Sequence, residues 1–341
     1  MVAPLSSSAL PRSAGLDAAQ KALLPHGGAR IVVVGSLNMD VVLTLERMPG
    51  AGETVAASGL HYLPGGKGGN QAVACARHGA QVSLFGSVGR DHHGNTLRLA
   101  LHGDGVDMDN VGVHEGVPTG TAVIMVEPGG QNRICVVPGA NARLELPEEA
   151  LLNALGQADF LVLQFETPPP VVEQALLAAR TAGCSVVLNP SPMREVPTHW
   201  WPLIHTLVVN EHEAAALSGE AVDTPESAAR AGLGLLARGV RQVVVTLGPQ
   251  GAVALGGPAG TPHVSRHPAP EVPVVDTTAA GDTFLGAMVT HLAEGCPLAD
   301  AVSWGIHAAS LCIGKAGAQP SIPLRAQVQA FAAARMEGAK A

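Results

Sequence analysis

From Leu151 onward, short apolar runs alternate with segments of helical spacing, and this constrains the fold more than any other feature. Phe160–Leu163, Val186–Leu188, Leu207–Val209 and Val243–Thr246 have the length and residue types of buried strands. Pro169–Thr181 and Pro225–Arg238 carry apolar residues at three- and four-residue steps, as helices do. Strands alternating with helices imply a mostly parallel sheet with helices on both faces, a doubly wound α/β fold. Aromatic residues make up only 3% of the chain while Gly numbers 41, which suits layers that approach closely. Ligands of such sheets bind beyond the carboxyl ends of the strands. Asn38, Asp40, Glu166, Asn210, Glu213, Thr246 and Asp282 are all expected at that end, after strands, and their shared placement points to a single site.

Two stretches sharpen this expectation. Pro273-Val274-Val275-Asp276 reads as the end of an extended segment, followed by Ala279-Ala280-Gly281-Asp282 and a helix over about Thr283–Glu294. Small residues at a helix start let an anion reach the free backbone N–H groups. An Asp beside that anion would repel it, unless its task is to take a proton from a nucleophile attacking phosphorus. Stabilisation of the helix dipole is the commoner use of a lone Asp there. The second stretch is Pro64-Gly65-Gly66-Lys67-Gly68-Gly69-Asn70, read as a loop ahead of the helix Gln71–Arg77. It lacks the Walker A pattern, and its glycines would let the backbone wrap a small polar ligand.

Val41–Leu45, Thr54–Leu63, Gly120–Val126 and Arg133–Val137 are extended but stand outside the strand–helix rhythm. They read as a small β-rich lid, with segments about 41–63 and 120–137. Residues 1–30, rich in Ala, Ser and Pro, read as a disordered extension before one α/β domain at 31–336. The net charge of −8, without a basic block, argues against nucleic-acid binding. Five widely spaced cysteines, without a C-x-x-C pair, fit a reducing cytoplasm better than a disulfide framework. No apolar run reaches transmembrane length.

The Gly65–Asn70 stretch running into Gln71-Ala72-Val73, and Asp276 to Phe284 about two hundred residues later, together resemble the two signatures of the ribokinase-type carbohydrate kinases. The resemblance spans about Ile31 to Leu324 and implies ATP-dependent phosphorylation of the O5 hydroxyl of D-ribose. It implies that Asn38, Asp40, Gly66, Lys67, Asn70 and Glu166 hold the sugar, and that Asp282 is the general base. Ala279, Ala280 and Gly281 would supply N–H groups to the transferring phosphoryl. Asn210 and Thr246, Leu247, Gly248, Pro249, Gln250 and Gly251 would line the ATP site, where Gly281 and Asp282 also reach. Glu213 would place Mg²⁺ through water. Potassium would lie among the Asp276 carboxylate, the backbone oxygens of Thr278, Cys312, Lys315 and Gly317, and Ser321. A homodimer through the lid is implied as well.

The chemistry is consistent with these roles. A polyhydroxyl sugar needs polar partners for every buried group. A primary alcohol needs a positioned base, and the phosphoryl charge needs fixed donors and a metal ion. This chain departs from the family pattern at Gly69, where Ala is common, and at Pro249 in the nucleotide loop. Ile306, with His307 next to it, falls where a polar residue often meets adenine. A related pentose or nucleoside kinase is the alternative, and a non-catalytic sugar or nucleotide sensor on the same scaffold ranks below it. Scarce aromatics disfavour a nucleoside base, and the presence of both Gly281 and Asp282 disfavours the sensor.

Overall fold

The computed structural model describes residues 28–128, 132–257 and 261–338. The extension expected at 1–30 therefore lies almost wholly outside the described residues, as does the tip of the lid hairpin. The main sheet has nine strands in the order β13-β12-β11-β10-β9-β8-β1-β4-β5. These are β1 (Arg30–Val34), β4 (Gln81–Gly89), β5 (Val111–His114), β8 (Phe160–Gln164), β9 (Ser185–Asn189), β10 (Thr206–Asn210), β11 (Gln242–Thr246), β12 (Ala252–Gly256) and β13 (His263–His267). All neighbours pair in parallel except β11–β12 and β12–β13, which form an antiparallel margin. Central strands such as Phe160–Gln164 are buried from end to end, as a sheet covered on both faces demands.

The helices divide between the two faces. One core holds Leu151, Leu176, Ala214 and Leu235 from α3 (Glu148–Leu155), α4 (Pro169–Ala182), α5 (Glu211–Ser218) and α6 (Pro225–Leu236). The other holds Val73, Leu97, Leu285 and Val302 from α1 (Lys67–Arg77), α2 (His92–Gly103), α7 (Ala280–Ala293) and α8 (Leu298–Cys312). The last helix, α9 (Arg325–Gly338), packs on α8. The expected doubly wound fold is present. No helix among the described residues is long and apolar enough to cross a membrane.

A second sheet, ordered β3-β2-β6-β7, forms the lid from β2 (Asn38–Leu45), β3 (Ala57–Gly65), β6 (Gly120–Val126) and β7 (Asn132–Val137). Its register assigns the two faces. Asn38 pairs with Gly65 and Gly120, and Asp40 with Leu63 and Ala122, so one face carries the two sugar-site candidates. The alternate face lines up Val41 with Tyr62 and Val123, and Leu43 with Leu60 and Met125. Leu60 and Tyr62 on that face are half-exposed, with the Tyr62 ring stacked on His93, and form an apolar stripe that the described residues leave partly open.

Several expectations need correction. Asn38 and Asp40 do not sit in a loop after β1; they open β2 and belong to the lid. Helix α1 begins at Lys67 rather than Gln71, so Lys67, Gly68, Gly69 and Asn70 form its first turn. Burial against the turn after β1 overrides the low helix propensity of the glycines. Val274 and Val275 end no strand: residues 268–279 are irregular and both valines are exposed. Asp282 therefore follows a loop, not a strand, and lies in the first turn of α7.

Candidate active site

The sheet's strand order reverses between β1 and β8, the position where ligands of open α/β sheets bind. Ser36 follows β1 and Glu166 follows β8, and their side chains meet: Ser36 Oγ donates to Glu166 Oε2 at 2.5 Å. The same oxygen accepts from the Lys67 N–H at 3.1 Å and from Asn38 Nδ2 at 3.5 Å. Glu166 thus ties the lid, the main sheet and the start of α1 together.

Close approach here depends on glycines. Gly66, at φ 85°, turns the chain from β3 into α1, and a Cβ there would lie 2.6 Å from the Asn38 nitrogen. A Cβ on Gly65 would lie 2.2 Å from Asp40 Oδ2, and one on Gly120 2.3 Å from Asn38 Oδ1. The sequence marks Gly65 and Gly66 as part of a ligand-wrapping loop, and Gly120 as the start of a hairpin strand. In the fold they make room for polar side chains across a sheet.

Asp282 is buried at the start of α7. Its Oδ2 accepts from Asn70 Nδ2 at 3.0 Å and its Oδ1 from Gln71 Nε2 at 2.8 Å. Burial raises its pKa above the ordinary value and the Glu166 charge adds to this, while the Lys67 ammonium and the two amides pull it back. Burial also works to discharge Lys67, but the carboxylates of Asp282, Glu166 and Glu213 outweigh it and raise its pKa. Burial, with Glu166 and Asp282 nearby, pushes the Asp40 carboxyl up to about 7. One ammonium among several carboxylates offsets part of the burial that disfavours their charge.

Ala279, at φ 60°, is the single non-glycine residue with positive φ among the described residues. It aims the chain into α7, whose start has no side-chain cap. Ala280 N–H donates to Thr277 O and Thr283 N–H to Ala279 O, which leaves the Gly281 and Asp282 amides for a ligand. The first turn of α7 thus offers free N–H groups and the positive end of a helix dipole beside the carboxylate.

The nucleotide candidates come from adjacent strand ends, since Asn210 pairs with Thr246 in the β10–β11 register. Leu247 N–H bonds to Gly251 O, and Gly248 (φ 52°) and Gly251 (φ 88°) make the tight loop around Pro249 and Gln250. Asn210 caps α5 in a reciprocal box: its Oδ1 accepts from Glu213 N–H, and Glu213 Oε2 accepts from Asn210 N–H. Only one Glu213 oxygen is used in this way. The potassium candidates also gather. Asp276 Oδ1 accepts from the Thr278 N–H and hydroxyl, and its Oδ2 accepts from Gly317 N–H at 2.8 Å. Cys312 Sγ lies 3.0 Å from Ser321 Oγ and 3.7 Å from Thr278 O, while the Lys315 side chain is exposed.

Some residues of the site were not foreseen. Asn141, in the short helical turn Gly139–Arg143, accepts from Leu37 N–H through Oδ1 and donates from Nδ2 to Asn38 Oδ1 at 2.8 Å. It fixes which way the Asn38 amide faces. Gln71 and Gln164 are both wholly buried and bonded to each other at 2.6 Å. Polar side chains inside otherwise apolar elements were their one visible signal. Away from the site, His291, Glu294 and Cys296 also cluster, but Arg325 holds both Glu294 oxygens and the His291 ring stacks on Trp304. That corner fastens α7, α8 and α9 together.

An anion-binding helix start, a buried base and a wall of amides and carboxylates are what transfer of a phosphoryl group to an alcohol requires, and so define a small-molecule kinase. The comparison of sequences makes the class specific: the profile of the pfkB family carbohydrate kinases matches residues 29–325, and the chain belongs to this family. It is 39% identical over 304 residues to the ribokinase of Schizosaccharomyces pombe, covering 86% of this chain and 94% of that protein. Among solved structures it is similar to Arabidopsis thaliana ribokinase complexed with ribose and ATP, with a TM-score of 0.82 and 35% identity over 89% of this chain and 98% of that one. Escherichia coli phosphofructokinase-2 in complex with potassium is similar at a TM-score of 0.74 and 25% identity, covering 89% and 98%.

Proposed function

We propose that the protein transfers the γ-phosphoryl of ATP to O5 of D-ribose, giving D-ribose 5-phosphate and ADP. The observation that carries this reading is the meeting of Asp282 with Asn70 and the uncapped start of α7, facing the Glu166–Asn38 wall. Asn38, Asp40, Gly66, Lys67, Asn70 and Glu166 hold the sugar hydroxyls. Asn70 Oδ1 is buried without a partner in the protein, an acceptor in want of a hydroxyl donor. Asp282 removes the O5 proton as the P–O bond forms. The amides at Ala279 and Gly281 receive the charge on the transferring phosphoryl, the Ala280 amide being bonded to Thr277 O, and Asn210 with residues 246–251 holds the rest of ATP. A coupled assay of ADP release across ribose, deoxyribose, fructose and adenosine tests the reading. A rate on ribose well above the others supports it; an adenosine preference sinks it.

The residues fit the expected metal ions. Glu213 keeps one oxygen uncommitted beside the nucleotide loops, suited to a water of Mg²⁺. Bound Mg²⁺ would neutralise phosphate charge. Asp276, the carbonyls near it and Ser321 offer hard oxygen ligands to potassium. Burial raises the Cys312 thiol pKa, so it stays a neutral neighbour rather than a competing soft ligand. Asp276 already joins the loop before α7 to the loop after α8. A cation there would stiffen the segment carrying Ala279–Gly281. The potassium complex of Escherichia coli phosphofructokinase-2 supports this. Activity at saturating ATP, Mg²⁺ and ribose should rise severalfold with KCl and much less with NaCl at equal ionic strength, and Asp276→Ala should erase the difference. Equal rates in both salts would exclude an activating site.

The partly open stripe of Leu60, Tyr62 and their neighbours supports a homodimer closed lid to lid across a two-fold axis. A four-stranded sheet with one partly open apolar face gains most by pairing with its copy. Light scattering at micromolar concentration should return twice the 34.6 kDa chain mass. A monomer would contradict it.

A further inference from the structure

We propose that Gln164 and Gln71 form a one-way amide relay that positions the base, so that Asp282 meets the sugar hydroxyl as an oriented carboxylate. The proposal rests on the kinase reading above and adds two residues to it. Gln164 is the last residue of β8 and Gln71 lies in α1; both are fully buried. Gln164 Nε2 donates to Gln71 Oε1 at 2.6 Å, and Gln71 Nε2 donates to Asp282 Oδ1 at 2.8 Å.

Direction is what makes this a relay. An ionised carboxylate only accepts, so Gln71 must turn its NH₂ toward Asp282. Its carbonyl then points the other way and needs a donor, which Gln164 supplies. Without Gln164, the Gln71 amide could rotate by half a turn and present its oxygen to Asp282, which an ionised Asp282 would repel. Asn70 holds the second Asp282 oxygen at 3.0 Å, so the two amides together fix the plane of the carboxylate. Lys67 and Glu166 act on the charge of Asp282, and Asp282 in turn on that of Asp40, but none of these charged groups is hydrogen-bonded to the Asp282 oxygens.

The far end of the relay argues that it is not merely a satisfied polar core. Among the described residues, Gln164 Oε1 is buried without a hydrogen-bond partner. It lies where a Cβ on Gly35 would come within 2.2 Å, so the chain leaves bare backbone beside it. A buried orphan acceptor costs stability, and an apolar side chain of equal length would avoid that cost. Its retention follows if the amide is needed for its donor. Gln71 is bonded to Asp282 and Gln164 to Gln71, so both act through Asp282 and are positioning residues rather than catalytic ones.

The test is steady-state kinetics with ribose and ATP on Gln71→Met, Gln164→Met and the double variant, with thermal melting of each. Misplacing a reacting group by about 1 Å costs about a hundredfold. Gln71→Met should therefore lower kcat by about ten- to a hundredfold, and Gln164→Met by about three- to tenfold, with the ribose KM within about twofold of the parent. Because the two act in series, the double variant should be no slower than Gln71→Met alone. Gln164→Met removes one orphan acceptor but leaves Gln71 Oε1 without its donor, so it should melt within a few degrees of the parent. Losses that multiply in the double variant, or kcat within twofold of the parent in either folded single variant, would overturn the relay. If Gln71→Met does not fold, Gln71→Asn keeps an amide too short to reach Asp282 and takes its place. A parent enzyme that releases no ADP with ribose would overturn the kinase reading instead, which separates the two failures.

Discussion

Turnover should fall by roughly 10²–10⁴-fold when Asp282 is replaced by Asn, with ribose binding largely kept. The substitution preserves size and leaves an amide oxygen to accept from Asn70 or Gln71, which now donate to the carboxylate. What is lost is the proton acceptor. The pH dependence carries a second signature. Burial raises the Asp282 pKa above the ordinary carboxylate value, so the parent loses its base as pH falls through that raised value. Activity is present above that value and lost below it, and this acid limb should vanish from the residual rate of the Asn variant. Calorimetric ribose binding alongside a coupled rate assay separates the effects. Near-parental turnover would remove Asp282 from the chemistry.

The second large effect should come from Gly68→Ala, where two influences oppose each other. Gly68 is in the first turn of α1, and helix propensity alone favours Ala by about 1 kcal/mol. The added Cβ would lie 2.5 Å from the Gly35 carbonyl carbon and 2.6 Å from the Ser36 nitrogen. Those are backbone atoms of the turn after β1 and cannot swing aside. Overpacking of this kind costs about 1–3 kcal/mol, so the clash wins. Relief requires α1 to back away, carrying Lys67 and Asn70 with it. The variant should melt lower and lose about tenfold or more in kcat/KM for ribose. A variant more stable than the parent would show that the helix term dominates and the contact is soft.

Much of this molecule was legible in the residues. Strand–helix rhythm implied the parallel sheet, and the strand-end positions of Glu166, Asn210 and Thr246 agree with the structure. Where reading failed, nonlocal packing was the cause. Glycines at 65–70 signal a loop by propensity, yet they let α1 start early because their missing side chains admit the neighbouring backbone. Asn38 and Asp40 were taken as a strand's tail because the pairing that makes them lid residues is with Gly65 and Gly120, far along the chain. The antiparallel margin β12–β13 was passed over, since Ala252–Gly256 is short and His263–His267 is polar. Asn141, Gln71 and Gln164 have roles only through partners that folding brings together, and no spacing rule marks them.

The shared register of Asn38 with Gly65 and Gly120 has a consequence for which nucleophile is used. Two wall residues, Asn38 and Asp40, ride on the small sheet, whereas the base and the anion-binding turn ride on α7 against the large one. The chain passes between the small sheet and the body at residues 35–37, at Gly66, at residues 115–119 and at Pro138. A sugar held as proposed would bridge the two sheets, because its hydroxyls would reach both at once. A water molecule in its place could touch Asp282 but could not also span to Asn38 and Asp40. Idle hydrolysis of ATP should be slow for want of a bridge, even though water is abundant at the mouth of the site and is the smaller nucleophile.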